Sequence, residues 1–258
     1  MKLSVALGAA LSAMLLAGGV SAALGADAAF KPDTSLPGGT WASIGKLPDW
    51  GGLWEPTFGG SVTRGRPEAP SLTPAYQAKF DAYQAAQKAG KIQDSPSANC
   101  VPPGMPGIMG EPYPYEFLFT PGKVTIMVEA YEQWRQIFTD GRGHPADPDP
   151  TYNGNSIGHW EGDTLVVDTV GFVTSTPLGT YAAQHSEKMH IVERMHTISP
   201  DMMEIDTTVT DPEALTKPYH IKRVYGRHRD WTLAEYICQE NNRNSVDDKG
   251  KAGIDIKE

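Results

Sequence analysis

The sequence SIGHWEGDTLVVDTVG, residues 156–171, decides the fold class of this chain. Two runs rich in β-branched, aromatic and apolar residues, Ser156–Glu161 and Thr164–Gly171, flank the turn residues Gly162 and Asp163. Such runs favour strands, and a glycine beside an aspartate favours a tight turn. The stretch therefore predicts an antiparallel β-hairpin.

The same period of two continues on both sides of this hairpin. No stretch between the strand-like segments has the length and pattern of a crossover helix, so neighbouring strands are expected to be antiparallel. The sequence predicts a mainly β protein, an antiparallel up-and-down, lipocalin-like β-barrel with an irregular N-terminal segment and one α-helix. The other predicted strands are Phe117–Thr120, Val124–Ala130, Trp134–Thr139, Met189–Ile198, Met202–Thr210, Tyr219–Arg227 and Thr232–Glu240.

The chain changes in composition along its length. Thr73 as an N-cap, Pro74 in the first turn and Gly90 as a stop predict a helix over residues 74–89. The expected organisation is a signal peptide at 1–22, with a second cleavage site at 26, an irregular lead-in at 27–111, the barrel at 112–241 and a disordered tail at 242–258.

The first residues and the charge balance bear on the compartment and the partners. An apolar run from Leu3 to Val20 ends in small residues, which is typical of a secretory signal peptide, although a membrane anchor of that length is the alternative. The chain of 258 residues has a formal net charge of −9, which disfavours nucleic acid as a partner. We expect a periplasmic or secreted protein that binds a small molecule and no membrane after cleavage; its oligomeric state stays open.

The chain has two cysteines, Cys100 and Cys238. In an oxidising compartment an even number of cysteines favours a disulfide, and two unpaired buried thiols are the alternative. Neither cysteine lies in a CxxC pattern, so the expected bridge is structural.

Loop lengths alternate along the predicted meander. In an up-and-down barrel every second connection lies at the same end, and long loops at one rim are where ligand sites are usually built. The short turns, expected at one end, are 131–133, 162–163, 199–201 and 228–231. The long loops, expected at the other end, are 140–155, 172–188 and 211–218.

Most of the candidate catalytic residues lie in the long loops or next to them. An imidazole titrates near neutral pH, and a carboxylate can fix its tautomer, so histidines beside carboxylates and arginines point to acid–base catalysis. The candidate catalytic residues are His144 and His185 as acid or base, His190 beside them, Asp140 and Glu187 as orienting carboxylates, and Arg142 and Arg194 as groups that stabilise an anion. The candidate substrate-binding residues are Glu129, Tyr152, Asn153, Trp160 and Tyr181.

Two alternatives concern these residues. An inward ion pair of Glu193 or Glu129 with Arg135 or Arg194 would only brace the barrel. Three histidines, His144, His185 and His190, could hold a metal, but their spacing fits no established ligand pattern, so we expect neither a metal nor a cofactor.

Several motifs together resemble a widespread group of secreted bacterial proteins. They are HWEGDTLVVDT at 159–169, TDGR at 139–142 and HSE at 185–187, and the resemblance covers residues 95–241 without implying any catalytic residue. Separately, the triplet Gly52-Leu53-Trp54 is similar to the GxW of lipocalins, which implies a calycin-like barrel, although the helix at 74–89 departs from the lipocalin order.

These observations lead to two main functional hypotheses. The first is a secreted, cofactor-independent enzyme, a lyase, isomerase or hydrolase, that uses acid–base chemistry on a small and partly apolar compound, aromatic compounds included. The second is a non-catalytic periplasmic carrier or sensor of a lipophilic small molecule. A module that docks its aromatic N-terminal segment onto a partner is a third.

Overall fold

The structure is a computed structural model of the chain. It describes residues 30–57, 68–89, 93–94, 97–178, 182–238, 240, 245–246 and 252–254. The predicted signal peptide at 1–22 lies outside the described residues. The chain divides after Lys31, and the barrel belongs to the second unit, Pro32–Glu258.

The described part of the chain contains the following strands in sequence order: β1 Leu53–Pro56, β2 Gln93–Asp94, β3 Tyr115–Thr120, β4 Lys123–Val128, β5 Gln133–Phe138, β6 Asn155–Glu161, β7 Thr164–Val170, β8 His190–Ser199, β9 Met202–Thr210, β10 Tyr219–His228, β11 Ser245–Val246 and β12 Ala252–Ile254. Nine of them form a closed barrel in the order β1-β10-β9-β8-β7-β6-β5-β4-β3. The predicted closed β-barrel is therefore confirmed.

One main helix accompanies the barrel, as the sequence predicted. It is α2, Pro74–Lys88, and a single turn, α1 at Trp41–Ile44, precedes it. The hydroxyl of Thr73 does not cap α2; it donates a hydrogen bond to the carbonyl of Glu213 at 2.7 Å. Thr73 therefore ties the start of the helix to the loop between β9 and β10.

The membership of the barrel differs from the prediction at one strand. Eight predicted strands are present, but the described residues of Thr232–Glu240 form no strand. The ninth barrel strand is β1, which comes from the segment predicted to be irregular and pairs with both β10 and β3. Because β1 closes the barrel, no free edge is left on which Thr232–Glu240 could pair.

One pair of neighbouring strands, β5 and β6, is parallel. Ile137 lies opposite Ser156 and Phe138 opposite Ile157, whereas every other barrel pairing is antiparallel. The barrel is therefore mixed, and the prediction of an entirely antiparallel up-and-down order is wrong at this pair. The cause is the connection 139–154, which is long enough to return along the barrel before β6 begins.

The parallel pair also changes which loops share an end. The end of the barrel that carries turns 162–163 and 200–201 is called the turn end, and the end that carries loops 171–189 and 211–218 is called the loop end. The predicted grouping holds for these four connections. It is wrong for the turn at 131–133, which lies at the loop end, and for 140–155, which runs from one end to the other.

The C-terminal segment contributes to a second small sheet. Strand β12 pairs with both β11 and β2, all antiparallel. The prediction of disorder for residues 242–258 does not hold for these two strands.

The segment between β1 and β3 fills part of the barrel interior. Met105 and Met109 are fully buried, the hydroxyl of Tyr115 donates to the carbonyl of Ile108 at 2.6 Å, and that of Tyr225 donates to the carbonyl of Met109 at 2.5 Å. An aromatic cluster packs elsewhere in the same core, with ring centroids 5.2–5.8 Å apart; its members are Trp50, Phe117, Phe119 and Trp160.

The predicted disulfide between Cys100 and Cys238 is present, with their Cα atoms 5.6 Å apart. It joins the lead-in to the segment after β10. Among the described residues, no helix has the length and hydrophobicity needed to cross a membrane.

Candidate functional site

Two histidines share one carboxylate oxygen on the outer wall of the barrel. Nε2 of His144 lies 2.9 Å from Oδ1 of Asp168, and Nε2 of His190 lies 2.8 Å from the same atom. Nδ1 of His144 lies 2.9 Å from Oδ1 of Asn155. His144, Asp168 and His190 are together called the His144–Asp168–His190 cluster.

The strand pattern and the long connection bring the cluster together. Val167 and Thr169 of β7 are fully buried, so Asp168 between them points outward. His190 begins the neighbouring strand β8, also on the outer face, because Ile191 points inward. The connection 139–154 runs along the barrel, and this path places His144 beside Asp168.

The hydrogen bonds fix where the protons lie. An ionised carboxylate only accepts, so each Nε2 that contacts Asp168 carries a hydrogen. The neutral tautomer of His190 then has its lone pair on Nδ1. Among the described residues Nδ1 of His190 has no hydrogen-bond partner, and the side chain is 38% exposed. It can accept a proton from a molecule that approaches from outside.

The predicted partners Asp140 and Arg142 form an ion pair with each other. Nη2 of Arg142 lies 2.6 Å from Oδ2 of Asp140, and the guanidinium lies 3.8 Å from the ring centre of Phe138. Asp140 is buried against Gly122, in the turn between β3 and β4 at the turn end. Both carboxylate oxygens of Asp140 thus accept from Arg142, and the described contacts of Asp140 include neither imidazole of the cluster.

His185, the other predicted acid or base, is buried inside the loop 171–189. Its Nδ1 donates to the carbonyl of Ser186 at 2.9 Å, and its Nε2 lies 3.1 Å from the hydroxyl of Thr176. Burial lowers the pKa of His185 below its ordinary value of 6.5. These contacts describe a neutral ring that holds the loop together.

The remaining predicted residues have other surroundings. Glu187 is exposed on the loop 171–189, and Tyr181 lies outside the described residues. Arg194 bonds Glu161 at 2.8 Å on the outer wall. The other two pack or bond elsewhere: Trp160 lies in the aromatic cluster, and the carboxylate of Glu129 accepts from the backbone of Ala234.

The interior holds the bracing ion pair that the sequence allowed. Nη2 of Arg135 lies 2.5 Å from Oε2 of Glu193, and both side chains are almost wholly buried. Nη2 also donates to Thr169 at 2.8 Å, and Nε donates to Ser156 at 3.1 Å. Nη1 of Arg135, Oε1 of Glu193 and the hydroxyl of Thr207 are buried with no hydrogen-bond partner among the described residues. The ion pair is thus only partly satisfied.

A cleft opens in the wall at the parallel strand pair. Strand β6 pairs only with Ile137 and Phe138 of β5, so the beginning of β5 separates from the segment 151–156. The space between them has a volume of about 380 Å³ and is called the seam cleft. Two predicted binding residues, Tyr152 and Asn153, line it, and so does Asn155, the neighbour of His144.

Sequence reasoning missed three residues that matter in these sites. Asp168 shares a face of its strand with Val166 and Val170, so the sequence pattern gives no sign that this face is the outer one. Trp134 and Gln136 also line the seam cleft, but nothing in the sequence indicated that β5 and β6 would be parallel.

The comparisons with known proteins give no assignment. No protein-family model and no curated protein match the chain. A solved structure of a secretary abundant heat soluble (SAHS) protein from Ramazzottius varieornatus is similar at 13% identity and a TM-score of 0.31, covering 69% of this chain and 95% of that one. Within the described residues, no group of three or more His, Cys, Asp and Glu is arranged to hold a metal.

Proposed function

We propose that the protein is a secreted or periplasmic enzyme that performs acid–base chemistry on a small, partly apolar compound at the His144–Asp168–His190 cluster. The observation that carries the proposal is that two imidazoles hydrogen-bond one carboxylate oxygen while Nδ1 of His190 is left without a partner among the described residues. A carboxylate that orients an imidazole is the arrangement that general base catalysis uses.

The roles follow from the hydrogen bonds. His190 takes a proton from the substrate at Nδ1, and Asp168 stabilises the imidazolium that forms. The imidazolium of His190 then returns this proton to the product or the leaving group, while His144 donates from Nε2 to the same oxygen and holds Asp168 in place. The reaction classes that this pair supports are proton abstraction followed by elimination, isomerisation, and hydrolysis through an activated water.

A non-catalytic carrier or sensor is the second candidate function. The observation in its favour is the seam cleft, whose volume of about 380 Å³ lies within the range of small-molecule sites. A binder needs this cleft but does not need the histidine cluster.

The test is turnover of a panel of lactones, enones and phenolic ethers, assayed without added cofactor. Removing a general acid or base typically costs about 10²–10⁴ in rate, so we expect kcat to fall by that factor for His190→Gln and Asp168→Asn. His159→Gln is the matched control, because His159 makes a similar contact with a carboxylate, Glu161, at 3.1 Å on the outer wall.

Two results would count against the enzyme. If His190→Gln and His159→Gln have equal activity, the cluster is not the catalytic site. If the parent protein binds compounds of the panel and turns over none of them, the carrier is the better assignment.

A further inference from the structure

The lining of the seam cleft has a distinctive chemistry. It combines aromatic rings with amide side chains, and no carboxylate is among its described lining residues. Each amide presents both a hydrogen-bond acceptor and two donors, as a pair of neighbouring hydroxyl groups does. The residues concerned are Trp134, Tyr152, Gln133, Gln136, Asn153 and Asn155.

One of these amides has an acceptor that nothing in the described chain uses. Nδ2 of Asn153 donates to the carbonyl of Trp134 at 3.1 Å and to Oε1 of Gln133 at 3.4 Å. These bonds orient the amide and leave its Oδ1 buried with no hydrogen-bond partner. A buried acceptor without a donor is unfavourable, so a ligand hydroxyl at this position would relieve it.

Arg135 does not make the cleft a site for an anion. It is among the lining residues, but its side chain is almost wholly buried and its charge is balanced by Glu193, at 2.5 Å. A ligand carboxylate in the cleft would therefore leave one negative charge in excess.

Trp134 supplies the apolar part of the site. Its side chain points outward from β5 and is 58% exposed, so its ring is open to a molecule in the cleft. An exposed aromatic face beside amide groups suits a ring with an apolar face of C–H groups and an edge of hydroxyls.

We propose that the seam cleft binds a neutral saccharide, with a sugar ring stacked on Trp134 and its hydroxyl groups bound by the amides of Gln136 and Asn153. The volume of about 380 Å³ admits a ligand of this size. This site goes beyond the acid–base reaction: it requires binding alone, and it uses neither histidine of the cluster.

The experiment is titration calorimetry of the full-length protein with glucose, galactose, xylose, cellobiose and maltose, and with sodium glucuronate and sodium acetate as charged probes. We expect at least one neutral sugar to bind, and Trp134→Ala to weaken that binding at least tenfold. Trp134→Phe, which keeps an aromatic face, should weaken it less. The matched control is Trp41→Ala, because Trp41 is 72% exposed and does not line the cleft.

The outcomes separate clearly. Loss of sugar binding in Trp134→Ala with retention in Trp41→Ala supports the site, provided that both variants melt like the parent. The proposal is overturned if no neutral sugar binds, if Trp134→Ala binds as the parent does, or if only glucuronate and acetate bind. Binding should persist in His190→Gln, so failure of the enzyme proposal and failure of this one are distinguishable.

Discussion

His185 and His190 belong to the same stretch of chain but have opposite environments. His185 is 3% exposed and both of its ring nitrogens have partners within its own loop. His190 is partly exposed and offers Nδ1 to the outside. The residue type alone predicted acid–base chemistry for both, and burial decides which of them can exchange protons with a substrate.

The environment of His185 leads to a prediction about acid stability. Its pKa is lowered in the folded protein, so just below pH 6.5 the unfolded chain binds more protons than the folded one. The stability contribution of the neutral ring is therefore complete above pH 6.5 and decreases as the pH falls from there to the folded pKa. We expect His185→Gln to show a shallower loss of unfolding free energy than the parent between about pH 7.5 and pH 5 in urea titrations.

The control for this measurement is Gln184→Ala, which changes an exposed residue of the same loop and removes no ionisable group. It should keep the slope of the parent protein. Equal slopes for His185→Gln and the parent would show that His185 is not a neutral buried group.

How far the sequence predicted the site is clearest from single residues. His144 and His190 were both candidates, and the structure joins them through Asp168, which was not. Asp140 and Arg142 were expected beside them because they share a loop with His144. In the structure Asp140 instead binds Arg142, so sharing a loop with His144 does not make it the partner of that imidazole.

At the scale of elements, glycines mark where the long connection meets the barrel. Gly154, at the end of 139–154, has a φ of +69°, and a Cβ there would lie 2.6 Å from the ring of Phe172 and 2.7 Å from Thr169. Gly162 in the β6–β7 turn has a φ of +60°, but a Cβ there would meet nothing within 4 Å. Both positions require a left-handed backbone, but only at Gly154 would an added Cβ be crowded by neighbouring atoms.

This contrast predicts unequal effects of alanine. We expect Gly162→Ala to cost about 1 kcal/mol of unfolding free energy, from the left-handed backbone alone. Gly154→Ala should cost about 2–5 kcal/mol, because crowding adds to the backbone strain. Urea unfolding of the two variants checks this, and equal losses would mean that the connection adapts to the added methyl group.

The strands themselves were predictable because their alternation is local. Eight of the predicted strands are present, since alternating buried and exposed residues are visible in each segment by itself. Strand β1 was not predicted, because it is short and forms by filling a gap between β10 and β3. The parallel pair was not predictable either, since the direction of β6 depends on the path of 139–154 and not on the residues of the strand.

At the scale of the whole molecule, the disulfide joins two segments that lie outside the barrel strands. Cys100 belongs to the lead-in, and Cys238 follows the last barrel strand. Near Cys238, Tyr236 contacts Tyr113 and Tyr131, with ring centroids 5.2 and 5.4 Å apart. The bridge and these rings together hold the chain after β10 against the lead-in.

Removing the bridge should destabilise the protein without changing its fold. For Cys100→Ala combined with Cys238→Ala we expect a loss of about 2–5 kcal/mol, because the unfolded chain regains the freedom of a long closed loop. For a domain of this size each kcal/mol lowers the melting temperature by about 2–4 °C. Calorimetry of the variant and of the parent under reducing conditions should agree, and an unchanged melting temperature for both would contradict the prediction.

The number of barrel strands has a consequence of its own. Directions can alternate around a closed ring only when the ring has an even number of members, and this barrel has nine. At least one pair of neighbours must therefore run the same way, whatever residues the strands contain. Substitutions can change the stability of the parallel pair, but they cannot remove it unless a barrel strand is gained or lost. A parallel pair is thus a topological requirement of the fold, and the path of 139–154 determines that it lies between β5 and β6, beside the cleft.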